Sequence, residues 1–326
     1  MSYSEELEKL PPKFVEKLSR LFAPSLFQRV ARTFNIKRPH TFRVNTIKID
    51  RLTLMSELKK KNIKVKNVSW YKDAFILLKP ELNKFAKTDL YFNGKVYVQN
   101  LSSMLPPLIL KPSSSDYVLD LTAAPGSKTT QMAAMMGNRG RILAFDKDPV
   151  RFEKLAANLR FQGVVNTELE NEDAIGIWRD HFEEFDKILL DAPCSAEGRF
   201  NVSKAKTYRY WNQMRVKRMA KKQKSLIRTA FEALKPGGLL LYSTCTFSPE
   251  ENESVVNYLI RKYPACCKIE PVNLGIKNIL PALGSWNGVD FAKGIKNCIR
   301  VIPGELMEGF FIALLRKIKS PNECSN

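Results

Sequence analysis

The chain has 326 residues, 44 % of them hydrophobic and 26 % charged, a balance that suits a packed globular protein of one or two domains and excludes wholesale disorder. Its 53 Lys and Arg outweigh 33 Asp and Glu by +20, which points to a polyanionic partner. No apolar run reaches the roughly 18 residues that span a membrane, and the opening MSYSEELEKLPPKF has early acids and no apolar stretch of a secretory signal, so a cytoplasmic location is expected.

The first 40 residues read as helical, broken at Pro11-Pro12 and again near Pro24. Alternation over residues 41–48 predicts a strand, 52–61 a helix, and 65–70 and 74–78 two more strands. This βαββ run lies in the most basic part of the chain: residues 1–112 carry +13 of the net charge and the remainder +7. A small α+β lobe that binds RNA is the expectation, and a basic cap without RNA contacts is its competitor. A linker, Leu110-Lys-Pro-Ser-Ser-Ser-Asp116, precedes a change of pattern. Short apolar runs at 117–121, 141–145, 187–190 and 239–242 then alternate with helices at 128–136, 149–161 and a long one ending near 234. Strands alternating with helices predict a doubly wound α/β sheet with a largely parallel core. The last residues, PNECSN, read as a frayed tail.

In such a sheet ligands bind where the strands end. After the first strand comes Asp120-Leu-Thr-Ala-Ala-Pro-Gly-Ser-Lys-Thr129, a turn with one glycine that lets a cofactor approach the backbone. It matches neither the dinucleotide fingerprint nor a P-loop. The next strand ends in Asp146, where an acid would bond a ribose diol. Glu172-Asp173 follows a third strand, either as a solvated turn or with Asp173 towards an adenine amino group. The fourth strand closes in Asp191-Ala-Pro-Cys194 and the fifth in Tyr242-Ser-Thr-Cys245-Thr, so two cysteines stand at the ligand edge. The six cysteines contain no CxxC pair and only two His accompany them; reduced thiols and no metal site are expected.

These residues carry a family likeness. From about residue 43 to 316 the chain resembles the Sun/RsmB/RsmF (NOP-type) family of S-adenosylmethionine-dependent RNA 5-methylcytosine methyltransferases. The likeness lies in Phe42-Arg-Val-Asn-Thr, Val98-Gln-Asn-Leu-Ser-Ser-Met104, the Ala-Ala-Pro-Gly turn, the two cysteine motifs with Pro249-Glu-Glu-Asn-Glu253, and the closing Arg300-Val-Ile-Pro and Glu308-Gly-Phe-Phe-Ile-Ala313. The second cysteine is the specific part, because DNA cytosine methyltransferases use the Pro-Cys cysteine alone.

The resemblance implies a Rossmann-like class I methyltransferase domain over residues 113–319, behind an RRM-like RNA-binding lobe at 1–112 and ahead of a tail at 320–326. It assigns Cys245 as the nucleophile that adds to carbon 6 of cytosine and Cys194 as the thiol that assists product release, directly or through water. Asp191 would hold the polar edge of the base, and Lys128 would stabilise charge on the adduct. S-adenosylmethionine would rest on Thr122, Ala123, Ala124, Pro125, Gly126, Ser127 and Lys128, with Asp146, Asp173 and Asp191 around it. Three positions depart from the family pattern: Thr122 stands where Cys is common, and Ser127 and Ala196 where Gly is usual. Serine fits only if its position needs no positive φ.

From Arg199 to Arg228 there are eleven basic residues and no acid, with Tyr208, Tyr210 and Trp211 among them. Cations for phosphates and aromatic faces for unpaired bases suit RNA; the competing reading is a solvated helix face with its aromatics packed inward. Arg199, Lys204, Lys206, Tyr208, Arg209, Lys221 and Lys222 are the expected RNA contacts. The expected partner is RNA, rRNA ahead of tRNA, bound by a monomer. The alternatives are a methyltransferase acting on DNA or another base, against which Cys245 argues, and an RNA-binding or ribosome-assembly factor that retains the fold without methyl transfer.

Overall fold

A computed structural model describes residues 7–78 and 82–323. Two helices lead, α1 (Pro12–Leu21) and α2 (Pro24–Arg32), each with Pro in its first turn, where a missing N–H breaks no helical bond. Strand β1 (Thr41–Val44) is followed by α3 (Arg51–Lys60), whose start is capped by the Asp50 carboxylate accepting from the Leu52 and Thr53 amides. Then come β2 (Val65–Val68), β3 (Tyr71–Leu77), the short helices α4 (Leu82–Ala86) and α5 (Asp89–Phe92), and β4 (Val96–Val98). The sheet order is β2-β3-β1-β4 with every neighbour antiparallel, so the expected βαββ run is completed to βαββαβ.

The small sheet is covered on both faces. Phe42 and Val44 enter the lobe's own core with Leu54, Leu58, Phe75 and Phe85. Arg43, one residue between them, points the opposite way. It is buried, donating to Gln99 Oε1 (2.9 Å), Thr130 Oγ1 (2.7 Å) and the Ser127 carbonyl (3.3 Å) on the larger domain.

Helix α6 (Leu101–Leu110) starts at Asn100, which caps the Ser102 amide, and shares a core with sheet residues Val118, Leu189 and Leu241. The large sheet then builds from β5 (Tyr117–Asp120), α7 (Ser127–Met135), β6 (Arg141–Phe145), α8 (Pro149–Gln162), β7 (Thr167–Glu170) and β8 (Phe185–Asp191). It continues with α9 (Gln213–Ala233), β9 (Leu234–Thr244), α10 (Glu253–Lys262), β10 (Cys267–Glu270) and β11 (Ile279–Pro281). The hairpin β12 (Ser285–Trp286) and β13 (Val289–Asp290) stands apart, and β14 (Ile299–Val301) and β15 (Phe310–Lys317) close the sheet.

Its order is β11-β14-β15-β9-β8-β5-β6-β7, with β10 also on β15. The five strands from β9 to β7 are parallel, and β15 runs antiparallel to β9. The chain leaves β5 towards β6 on one side and later returns to β8 on the other, which opens a crevice at the strand ends. Strand β9 starts earlier than predicted, since Leu234 already pairs with Phe185 and the Pro236-Gly237-Gly238 segment conceals the continuation.

The leading helices do not stand off as part of a separate lobe. Phe14, Leu18, Phe22 and Phe34 form one cluster with Phe200, Val202, Trp211 and Phe247 of the large domain. The Phe14 ring lies 4.9 Å from Phe200 and 5.7 Å from Trp211, and Phe22 meets Phe247 edge-on at 6.0 Å. At about 1.5–3 kcal/mol per buried apolar side chain, this contact holds the N-terminus firmly.

Cys194, Cys245, Cys267 and Cys298 are free thiols; Cys266 departs from the reduced state expected, being disulfide-bonded. Pro321–Glu323 forms one 3-10 turn, and the tail beyond it lies outside the described residues. Among the described residues no helix is long and apolar enough to cross a membrane, and no group of His, Cys, Asp and Glu could hold a metal.

Candidate active site

Strands β8 and β9 are parallel neighbours with Asp191 opposite Ser243, so the chain segments leaving them run side by side. Three residues past Asp191 and two past Ser243, the sulfurs of Cys194 and Cys245 come within 3.4 Å. The Cys194 thiol is pushed well above the ordinary thiol value, first by its bond with Cys245 and then by burial.

Beside the thiols, the first turn of α7 delivers Lys128, whose ammonium donates to Asp191 Oδ2 (2.6 Å) and Ser103 Oγ (2.8 Å). Ser243 Oγ donates to the other Asp191 oxygen at 2.7 Å, and Thr122 Oγ1 to the Asp191 carbonyl at 3.0 Å. Asp191 is thus fixed from both sides. Buried behind it, Asp120 accepts from Thr129 Oγ1 at 2.8 Å while its Oδ1 has no partner; burial pushes this carboxyl up to about 7.

The turn after β5 approaches the end of β6. The Ala123 amide bonds the Phe145 carbonyl at 2.8 Å, and the Ala124 and Asp148 amides bond the two oxygens of buried Asp146 at 3.2 and 3.1 Å. Pro125 is exposed at the bend and gives its carbonyl to Asn158 Nδ2 (2.7 Å). Gly126 takes φ 99°, the left-handed region that glycine enters freely. Ser127 is the first helical residue with no positive φ, so its departure from glycine carries no strain. A cavity of about 180 Å³ opens here, lined by Thr122, Asp146, Asp173, Asp191, Pro193 and Lys222 among others. Asp173 is paired with Lys147 at 3.0 Å.

On the far side of the Cys194 loop a larger cleft of about 880 Å³ separates residues 35–41 and 98–100 from the segment 195–215. Arg199, Lys204 and Lys206 line it. Tyr208 does not: its hydroxyl donates to the Val202 carbonyl (3.4 Å) and its ring lies 6.1 Å from Phe200. Trp211 is buried, donating its indole N–H to Glu197 at 2.8 Å. Arg209 lies with its guanidinium 4.5 Å above the Tyr210 ring. Lys222 borders the smaller cavity instead, and Lys221 lines neither.

Two buried acids were absent from the sequence reading of the site. Glu197, three residues after Cys194, accepts from Thr246 Oγ1, the Phe247 and Ser248 amides, Ser248 Oγ and Trp211 Nε1, all at 2.6–3.0 Å. It ties the Cys194 loop to the Cys245 loop. Glu251 accepts from the Ser195 amide and Gln223 Nε2 at 2.9 Å each, its Oε1 has no partner, and burial lifts its carboxyl to about 8. Both lie inside the motifs that carried the family likeness, Glu197 just past Pro-Cys-Ser and Glu251 in Pro-Glu-Glu-Asn-Glu. The signal was an acid within a motif, with nothing to say that it faced inward.

Backbone approach is equally tight. Gly198 and Gly309 pack so closely that a Cβ on Gly198 would lie 2.2 Å from the Gly309 carbonyl oxygen. Ala196 takes φ 59°, which accounts for glycine being usual there.

A doubly wound sheet with acids at its strand ends and paired thiols just past the ends of two adjacent strands has the build of a class I, Rossmann-like methyltransferase. The comparisons with known proteins narrow the class. The chain belongs to the 16S rRNA methyltransferase RsmB/F family, whose model matches residues 107–316, while residues 10–101 match the N-terminal domain of 16S rRNA methyltransferase RsmF. It is 38 % identical to the tRNA (cytosine(49)-C(5))-methyltransferase of Pyrococcus abyssi over 97 % of this chain and 99 % of that one. It is 36 % identical to the ribosomal RNA small subunit methyltransferase F of Erwinia tasmaniensis, covering 95 % of this chain but 64 % of the longer relative. Among solved structures, a methyltransferase homolog protein from Pyrococcus horikoshii superposes with TM-score 0.78 at 36 % identity, over 94 % of this chain and all of that one. NSun6 from the same organism, solved with SFG, gives 0.80 at 27 % identity over 96 % of this chain and all of that one.

Proposed function

We propose that the protein transfers a methyl group from S-adenosylmethionine to carbon 5 of a cytosine in RNA, through a covalent adduct with Cys245. The observation that carries this reading is the approach of the two sulfurs to 3.4 Å beside the Lys128–Asp191 pair. Carbon 5 of cytosine is a weak nucleophile. Addition of the Cys245 thiolate to carbon 6 moves electron density onto carbon 5 and readies it for the methyl group. A thiolate is needed at Cys245; the Cys194 thiol beside it is pushed well above the ordinary value by their mutual bond and by burial. Asp191, held by Lys128 and Ser243, suits the polar edge of the base, and Lys128 supplies positive charge as the adduct forms. After methylation the carbon 5 proton passes to a base, Cys194 directly or a water beside it. Its electron pair re-forms the carbon 5–carbon 6 double bond and Cys245 leaves as the thiolate, a release that Cys194, 3.4 Å away, assists.

The cofactor supplies the methyl group as a sulfonium. The donor set around the smaller cavity fits it: Asp146 and Asp173 offer acceptors for ribose hydroxyls and an adenine amino group, and Thr122 brings the start of the 122–128 turn to its wall. Residues 113–319 form the transferase in this reading, and the basic segment 1–112 contributes to RNA docking. Relatives act on both RNA classes, so rRNA is tested first and tRNA beside it. A cytoplasmic enzyme would fit such a substrate.

The test is mass-spectrometric detection of 5-methylcytidine after incubation with S-adenosylmethionine and unmodified rRNA or tRNA. Product from the wild type, none from Cys245→Ala, and a trapped protein–RNA adduct in Cys194→Ala alone are expected. Product from Cys245→Ala would overturn the assignment of the nucleophile. RNA binding without any product would favour the assembly-factor alternative.

A further inference from the structure

RRM-type lobes read single-stranded bases by stacking them on aromatic side chains of an open sheet face. That mode is closed here, since one face of the small sheet is the lobe's own core and Arg43 seals the other against α7. The unpaired RNA that the transferase must receive therefore needs another platform. The larger cleft offers a path that leads to the chemistry, because Ser195 and Ala196, the residues after Cys194, line it. Its walls carry Lys37, Arg38, Arg199, Lys204, Lys206 and Arg215 against one acid, Glu308, which pairs with Arg199 at 3.8 Å. Arg38 is anchored by the Gly304 and Met307 carbonyls at 3.0 Å each, which fixes a cation on the N-terminal wall.

The aromatic residues of the basic segment divide by burial. Tyr208 packs inward and Trp211, although it borders the cleft, is only 8 % exposed, whereas Tyr210 lines the cleft and is 63 % exposed. Arg209 covers one face of the Tyr210 ring, leaving the other for a flat partner. We infer that the cleft binds a single-stranded RNA segment and that Tyr210, backed by Arg209, stacks a base flanking the methylated cytosine. This assignment rests on the transferase reading above, and it places the aromatic contact at Tyr210 rather than at Tyr208.

The experiment uses the full chain and a fluorescein-labelled single-stranded oligoribonucleotide with one central cytosine. A second set carries 2-aminopurine at each flanking position in turn. Tyr210→Ala should weaken binding roughly ten-fold, the effect of losing one stacked base, and abolish 2-aminopurine quenching at one flanking position. It should also raise KM more than it lowers kcat. Tyr210→Phe, which keeps the ring, should restore quenching and most of the affinity. Lys204→Ala with Lys206→Ala should instead lower the salt slope of binding by about 0.7 for each phosphate that is no longer neutralised, a change that Tyr210→Ala should not make. Equal affinity and quenching in wild type and Tyr210→Ala would overturn the platform, and failure of the wild type to bind the oligonucleotide would overturn the cleft. Binding with the expected quenching but without 5-methylcytidine would support the cleft while removing the transferase reading.

Discussion

Replacing Glu197 probes how far the thiol pair depends on one buried carboxylate. Five donors converge on it, three at Oε2 and two at Oε1. In Glu197→Gln the amide oxygen can take the three donors of Oε2, and Ser248 Oγ can turn to accept from the new NH₂ group. The Trp211 indole N–H cannot, and it meets a donor instead of an acceptor. Losing that bond and weakening the others from charged to neutral should cost about 2–3 kcal/mol. Glu197→Ala leaves two backbone amides and the indole buried without partners, at about 1–3 kcal/mol each, so a loss on the order of 5 kcal/mol is expected. That equals the lower end of the total stability of a domain. Urea unfolding followed by tryptophan fluorescence measures the loss, and the yield of trapped adduct in a Cys194→Ala background reports the placement of Cys245. Glutamine should lower adduct yield at temperatures where the protein is fully folded. A glutamine variant within about 0.5 kcal/mol of wild type and with full adduct yield would refute the claim that this acid sets the geometry of the thiols.

Three further outcomes follow from the site. Glu251 has a folded value of about 8 against an ordinary 4.5, so the folded state holds a proton that the unfolded chain has lost between those values. The stability this contributes is complete below pH 4.5 and is lost as pH rises through 8; a fall on the order of 5 kcal/mol is expected across that window, and Glu251→Gln should flatten most of it in unfolding titrations. Ala196→Gly should raise stability by about 1 kcal/mol by relieving the left-handed backbone, read as a higher urea midpoint at unchanged slope. Asp146→Ala should abolish S-adenosylmethionine binding in calorimetry, and unchanged affinity would remove Asp146 from the cofactor site.

Much of the transferase was legible because its chemistry lies at strand ends. Apolar runs followed by Asp-Ala-Pro-Cys and Ser-Thr-Cys mark both the strands and the side of the sheet where they stop. Lys128 and Asp191 enter as site residues only through the family resemblance, and the fold brings them together at 2.6 Å. The small lobe was read as four elements because β4 is only Val-Tyr-Val and the helices before it are too short to show a period. Whether a polar side chain near a motif turns inward depends on partners distant in sequence, which is why Glu197 and Glu251 carried no visible role. The same limit applies to the aromatics: Tyr208 and Tyr210 are indistinguishable as letters, and it is the packing of Tyr208 against Phe200, with its hydroxyl on the Val202 carbonyl, that turns it towards the core.

The aromatic contact made by the leading helices has a mechanical consequence. Phe14 and Phe22 press on Phe200 and Phe247, which lie on the two segments that bear the thiols, and Lys17 donates to Ser248 Oγ at 2.9 Å, one bond from Glu197. The wall of the reaction chamber is therefore finished by the first turns of the chain. Excising residues 7–35 would loosen both cysteines without touching either, so the catalytic domain is not a cassette to which different RNA-binding leaders can be spliced. On the proposed path of the RNA, a change of preference would be sought at the rim of the cleft, where Tyr210 is exposed and can vary without disturbing that joint.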